Sequence, residues 1–247
     1  MTGKSLSVVW PRLAARTQAR VALGRSGAGQ PTATALSFAL DHARARQAVW
    51  SELNTDTLQA ALPTPVTLVR SAARDRAEYL QRPDLGRYLS SATQLDPTPG
   101  DLLIVIGDGL SAMAVQAHAA AVVSLLLSRI GDAGLSLNQV VIATQARVAL
   151  GDDVARATGA RAVVMLVGER PGLSAADSLG AYITWEPDTD TPNARRNCVS
   201  NIRDGGLSHE EAVERLIFLL RAMRETGQSG VALTQHLGAA DAGKLAP

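Results

Sequence analysis

The chain has a single cysteine, Cys198, in 247 residues. That excludes an internal disulfide framework and fits a reducing compartment. Aromatic residues make up only 3% of the chain, so the core must be built mostly from Ala, Val and Leu. Lysine is nearly absent: Lys4 and Lys244 are the only two, and the other basic residues are arginines. Acidic residues almost cancel them, leaving a formal net charge of +1 and no broad basic field for a nucleic acid backbone. The first ten residues lack a secretory h-region with a cleavage site. The most apolar stretch, 112–127, is interrupted by Gln116 and His118 and reads as a buried helix, not a membrane span. The expectation is a soluble, cytoplasmic protein with neither nucleic acid nor membrane as partner.

Several catalytic signatures are missing as well. There is no Walker A sequence and no Gly-x-Ser-x-Gly elbow. His42, His118, His209 and His236 are scattered, none at a metal-ligand spacing from another, and Cys198 stands alone. Surface or packing roles are expected for these histidines, no metal site is expected, and no side chain is assigned as catalytic. Gly107-Asp108-Gly109 follows an apolar run and opens a helix, which invites a dinucleotide reading. Ala112 replaces the third glycine, however, and the next strand ends in Ala143-Thr144-Gln145 with no acid for a ribose. A tight turn is the simpler account of those glycines.

What the chain does contain is a change of rhythm. Residues 31–62 read as helical, and Pro63 and Pro65 end that pattern before a short strand, Val66–Val69. A second helical stretch covers 74–82, and Pro83–Gly86 makes a turn. Asp96-Pro-Thr-Pro-Gly100 is the clearest linker. Beyond it, apolar runs at 102–106, 139–143, 162–167 and 180–185 predict strands. Helices are expected at 111–130, 152–158 and 208–226, the last opened by the capping box Ser208-His-Glu-Glu211. Val231–Leu233 reads as a final short strand, with a frayed tail after Leu237. Strand–helix alternation of this kind argues for an α/β fold with a parallel sheet and helices on both faces. Ligands of such sheets sit outside the carboxyl ends of the strands, which points to the segments 107–111, 144–152 and 168–174.

Two phrases stand out, Val167-Gly-Glu-Arg-Pro-Gly-Leu-Ser174 and Arg196-Asn-Cys-Val-Ser-Asn-Ile-Arg203. Both put glycine, proline, charge and small polar residues where a rigid strand gives way to a loop. Glu169 is either a loop brace or an acceptor for ligand N–H groups. Cys198 is either a small buried hydrophobe or a contact in a ligand-facing loop. Val148, after the second strand of the alternation, is either packing or part of the same site.

These phrases belong to a longer series. Arg20-Val-Ala-Leu-Gly-Arg-Ser-Gly, Arg82-Pro-Asp-Leu-Gly-Arg, Gly107-Asp-Gly-Leu-Ser-Ala with Val115-Gln116, Gln145-Ala-Arg-Val-Ala-Leu-Gly-Asp and Asp177-Ser-Leu-Gly-Ala-Tyr accompany the two above. Together they resemble the small (light) subunit of ethanolamine ammonia-lyase, a family dependent on adenosylcobalamin. The resemblance implies a mainly helical N-terminal region over residues 1–97 and a Rossmann-like cobalamin-binding domain over 98–247. It implies corrinoid contacts at Val148, Glu169 and Cys198. It also implies a large-subunit partner with a TIM barrel, in assemblies up to a heterododecamer, that holds ethanolamine and performs most of the radical chemistry. The chain lacks the Asp-x-His-x-x-Gly sequence that supplies an axial histidine elsewhere, so the base-on form of the cofactor is expected. A stand-alone corrinoid carrier or assembly protein would use the same loops. Packaging in a bacterial microcompartment is a further expectation from the family, although the segment ahead of the first shared phrase is short here.

Overall fold

A computed structural model describes residues 3–17, 19–21 and 23–245. Ala22, within the 20–27 phrase, lies outside the described residues. In chain order the helices are α1 (Gly3–Ala14), α2 (Thr32–Trp50), α3 (Thr55–Ala61), α4 (Arg76–Gln81), α5 (Ala112–Arg129), α6 (Leu150–Thr158), α7 (His209–Thr226) and α8 (Val231–Leu245). The strands are β1 (Val66–Arg70), β2 (Leu102–Gly107), β3 (Leu137–Thr144), β4 (Ala162–Gly168), β5 (Leu179–Trp185) and β6 (Asn197–Ile202). They form one sheet in the order β1-β3-β2-β4-β5-β6.

The sheet is mixed, which corrects the parallel arrangement expected from the sequence. β1, β3, β2 and β4 are parallel, whereas β5 runs antiparallel to β4 and β6 antiparallel to β5. The reason lies in the connections. A parallel return needs a crossover of roughly a dozen residues or more, usually a helix. The segment 169–178 between β4 and β5 carries no helix, so β5 can only turn back beside β4. β1 precedes the 96–100 linker yet pairs with β3, so a strand from the mainly helical part of the chain forms one edge of the sheet.

Alternation along the strands divides the core into two layers. Ile104, Ile106, Ile142, Val164, Leu166 and Ile183 point to the side covered by α5 and α7. Leu103, Val105, Val141, Val163 and Met165 point to the other, which α6 covers with Leu150 and Val154. Fully burying each such side chain stabilises the fold by about 1.5–3 kcal/mol before chain entropy is counted. The apolar stretch 112–127 is indeed a core helix: α5 buries Val115, Ala119, Val122, Val123 and Leu126.

Local signals explain most of the element ends. Ser208 caps α7 with the reciprocal bonds of the capping box, and Gly227 ends the helix in a left-handed turn. The stretch 31–62 is two helices because Asn54 caps the first turn of α3, accepting from the Thr57 N–H at 3.0 Å. Residues 231–233 are the start of a helix, α8, not a strand; the helix continues to Leu245 across a non-helical Gly238. Residues 197–202, expected as a loop, form the edge strand β6. α2 packs little of itself: Ala48 is its one buried residue, while Leu36, Phe38, Leu40 and Trp50 are exposed.

Candidate ligand-binding site

The carboxyl ends of β2 and β3 are bound together by one buried carboxylate. Asp108, 1% exposed, follows β2. Its Oδ2 accepts the Gln145 N–H and its Oδ1 the Ala146 N–H, each at 2.9 Å. Gln145 has φ of 56°, a left-handed conformation that is strained for a residue with a side chain, and the two bonds hold it there. Burial pushes the Asp108 pKa up, while the two N–H groups and the Arg76 guanidinium oppose that. Arg76 is itself buried; its Nη1 lies 3.5 Å from Asp108 and donates to the Gly109 carbonyl at 2.8 Å, while its Nε donates to the Val49 carbonyl. One network therefore joins the end of α2, the start of α4, the turn after β2 and the loop after β3.

Gly109 is required in that turn. Its φ is +58°, and a Cβ there would stand 2.2 Å from the Gly168 carbonyl oxygen. The glycines of 107–109 thus serve the close passage of the β2 turn against the end of β4.

Beside this network lies a cavity of about 400 Å³, lined by residues that include Tyr79, Arg147, Val148, Glu169, Arg170 and Tyr182. Two of the three contact residues implied by the sequence, Val148 and Glu169, therefore share one cavity. Glu169 is held at the end of β4: its Oε2 accepts from Ser178 Oγ at 2.5 Å and from the Asn201 N–H at 3.4 Å. Its Oε1 lies over Gly180, where a Cβ would come within 2.9 Å. Loop brace and ligand acceptor are therefore compatible roles, because one oxygen is engaged and the other is turned along the sheet.

Cys198 does not line that cavity. It stands on the edge strand β6, exposed, opposite Tyr182 of β5 in the strand register. Tyr182 supplies the link, since it lines the cavity holding Val148 and Glu169. Desolvation pushes the Cys198 thiol pKa up to about 11, with the Glu169 charge adding to the rise and a hydrogen bond with Tyr182 opposing it. A thiol held this far above neutrality is a poor nucleophile. Burial raises the Tyr182 hydroxyl pKa too. Cys198 also borders a second cavity, of about 760 Å³, between β6, α7 and α8.

The other shared phrases are tied to one another across the fold. Arg196 donates to Asp152, joining the start of β6 to α6 through a buried ion pair. Arg147 N–H donates to the Gly86 carbonyl at 2.7 Å, joining the 145–152 and 82–87 phrases. Arg20 bonds Asp41 at 2.7 Å and lines a cavity of about 810 Å³ with Met113, Leu173, Ser174 and Asp177. Asp108, Arg147, Tyr79 and Tyr182 were not singled out from the sequence. Three of them stand inside the shared phrases, and Tyr79 carried no local signal at all. Two of the scattered histidines also meet: His118 Nδ1 and His209 Nε2 are 3.1 Å apart between α5 and α7. Burial first, then the neighbouring His209, lowers the His118 pKa.

Fold and site together define an α/β protein with a polar cavity at the carboxyl edge of a mixed sheet. The ethanolamine ammonia-lyase light chain family (EutC) matches residues 8–234, and the chain belongs to that family. It is 52% identical over 226 residues to the ethanolamine ammonia-lyase small subunit of Bradyrhizobium diazoefficiens, covering 88% of this chain and 87% of that protein. The small subunit of Xanthomonas campestris pv. campestris strain ATCC 33913 is 46% identical over 254 residues, covering 96% and 93%. That of Pseudomonas fluorescens strain Pf0-1 is 44% identical over 235 residues, covering 91% and 86%.

Proposed function

We propose that this chain is the small subunit of an ethanolamine ammonia-lyase, which converts ethanolamine to acetaldehyde and ammonia, and that it holds base-on adenosylcobalamin against a large TIM-barrel subunit. The observation that carries the reading is the cavity shared by Val148 and Glu169, with Tyr182 connecting it to Cys198. The donor set suits a corrinoid. Peripheral amides of a corrin ring can donate to Glu169, and their oxygens can accept from the guanidinium group of Arg170. Val148 and the Cys198 side chain offer apolar surface to the macrocycle. A cavity of about 400 Å³ is at the small end of pockets that enclose a drug-sized ligand, and a corrinoid is larger. The chain would therefore cover one side of the ligand, as half of a Rossmann-like clamp.

When bound, adenosylcobalamin supplies the radical chemistry through homolysis of its cobalt–carbon bond. This chain's residues orient and enclose. Glu169 fixes the rotation of the ligand by a directed acceptor, and the Asp108 network holds the Val148 loop at a set height above the sheet. Nothing in the site is arranged as a nucleophile with its base, which accords with a supporting role. Exposed Leu36, Phe38 and Leu40 on α2 favour a partner, since a helix apolar on more than one side is ordinarily covered. The cytoplasm, with or without a microcompartment shell, is the compartment proposed.

Co-expression with a large subunit tests the whole reading. Ammonia release from ethanolamine is expected with both chains and adenosylcobalamin, and from neither chain alone. Tight corrinoid binding by the isolated chain, without activity in the pair, would favour a carrier instead. Glu169→Ala should lower corrinoid retention by the complex about tenfold, in line with loss of a charged hydrogen bond, while assembly persists. Undiminished retention removes Glu169 from the site.

A further inference from the structure

The cavity contains a cation that the fold leaves without an acid. Arg147 sits in its wall next to Val148. Its backbone is fixed by the bond to Gly86, and its guanidinium lies over the Tyr79 ring, 4.4 Å from the centroid. Tyr79 is fixed in turn: it is fully buried, and its hydroxyl donates to the Ala146 carbonyl at 3.0 Å. The side chain is thus held in one direction at little further entropic cost. Yet its Nε is buried with no hydrogen-bond partner, and among the described residues no carboxylate forms an ion pair with it. Glu169, the acid of the same cavity, is engaged by Ser178 and Asn201.

A buried donor without an acceptor is costly, and a charged one more so. The Nε–H is closed off by the protein, so the two Nη groups form the edge by which this guanidinium can grip two oxygens of one group in the cavity. A neutral amide oxygen would satisfy one N–H and leave the charge. A phosphate-type group satisfies both. We propose that Arg147 is an anion-binding residue that takes the phosphodiester of the ligand's nucleotide tail, the one anionic group on cobalamin. The assignment rests on the corrinoid reading above and makes it more specific: Glu169 reads the amides, and Arg147 reads the tail.

The experiment uses the complete complex of both subunits and two probes, cobalamin and cobinamide, which carries the corrin amides but lacks the nucleotide tail and its phosphodiester. Equilibrium binding is followed by corrin absorbance. Arg147→Met, which keeps an apolar stem against Tyr79, should weaken cobalamin about 10- to 100-fold and leave cobinamide unchanged. Arg147→Lys, a point charge without the fork, should recover part of the loss, and the salt dependence of cobalamin binding should be shallower in the methionine variant. An equal loss for both corrinoids, or no loss for either, overturns the assignment while the ligand reading stands. A wild-type complex that binds neither corrinoid overturns both.

Discussion

The two faces of the sheet are held by different physics. The face under α5 and α7 is a dry apolar layer in which Ile104, Ile106, Ile142, Leu216 and Leu220 are fully buried. The opposite face has α6 and a short apolar layer joined by polar ties: Asp108 to the 145–146 backbone and Arg76 to Asp108 at the carboxyl edge, and Arg196 to Asp152 toward the other end of β4. Apolar packing is non-directional and tolerates small shifts. Hydrogen bonds and buried ion pairs set angles and are expensive when broken. The first face is thereby suited to stability alone, and the second to the ligand-presenting role proposed for it.

Substitutions should therefore act differently on the two sides. Asp108→Ala should have the largest effect, costing about 3–5 kcal/mol because it leaves Arg76 charged and buried without its partner. Denaturant unfolding of the purified chain checks it, and a loss below about 1 kcal/mol would mean that the network is not what holds this edge. On the dry face, Ile104→Ala should cost about 2–5 kcal/mol through lost burial and a cavity. The complex that still folds should keep its corrinoid affinity, measured by equilibrium binding; a parallel drop in affinity would show that the two faces are not separable.

The smallest effect expected is one of pH. His118 has a folded pKa below its unfolded value of about 6.5, so the unfolded chain binds the extra proton first. The stability that comes from keeping it neutral is complete above about pH 6.5 and is lost as the pH falls below that value. Melting temperatures at pH 7.5 and 5.5 should differ less in His118→Gln than in the wild type. Equal differences would remove His118 as the source.

Much of the fold was legible because periodicity survives folding. The continuous apolar runs became β2, β3, β4 and β5, and the Ser208 capping box opened α7 where expected. Misreadings had local causes. The polar neighbours of Cys198 allow a ligand-facing loop as readily as a buried position; it stands instead on an exposed edge strand, and β6 exists because β5 offers it a hydrogen-bonding edge. Val231–Leu233 has β-prone composition, but the pattern is too short to exclude the start of α8. The parallel sheet was inferred from alternation alone, and the helix-free 169–178 connection reversed it.

The site was legible only in part. Val148, Glu169 and Cys198 came from their phrases, and two of them share a cavity. Arg147 and Asp108 stood in those phrases unremarked, because a guanidinium without an acid and a carboxylate that caps a distant loop are three-dimensional facts. The sequence by itself determined the α/β class, most of the elements, the absence of a catalytic triad signature and the family. Tertiary structure alone decided the direction of β5 and β6, the meeting of His118 with His209, and the separation of a dry face from a polar one. Each of these depends on which backbone edges and buried charges come together across long stretches of chain, and no local pattern encodes that.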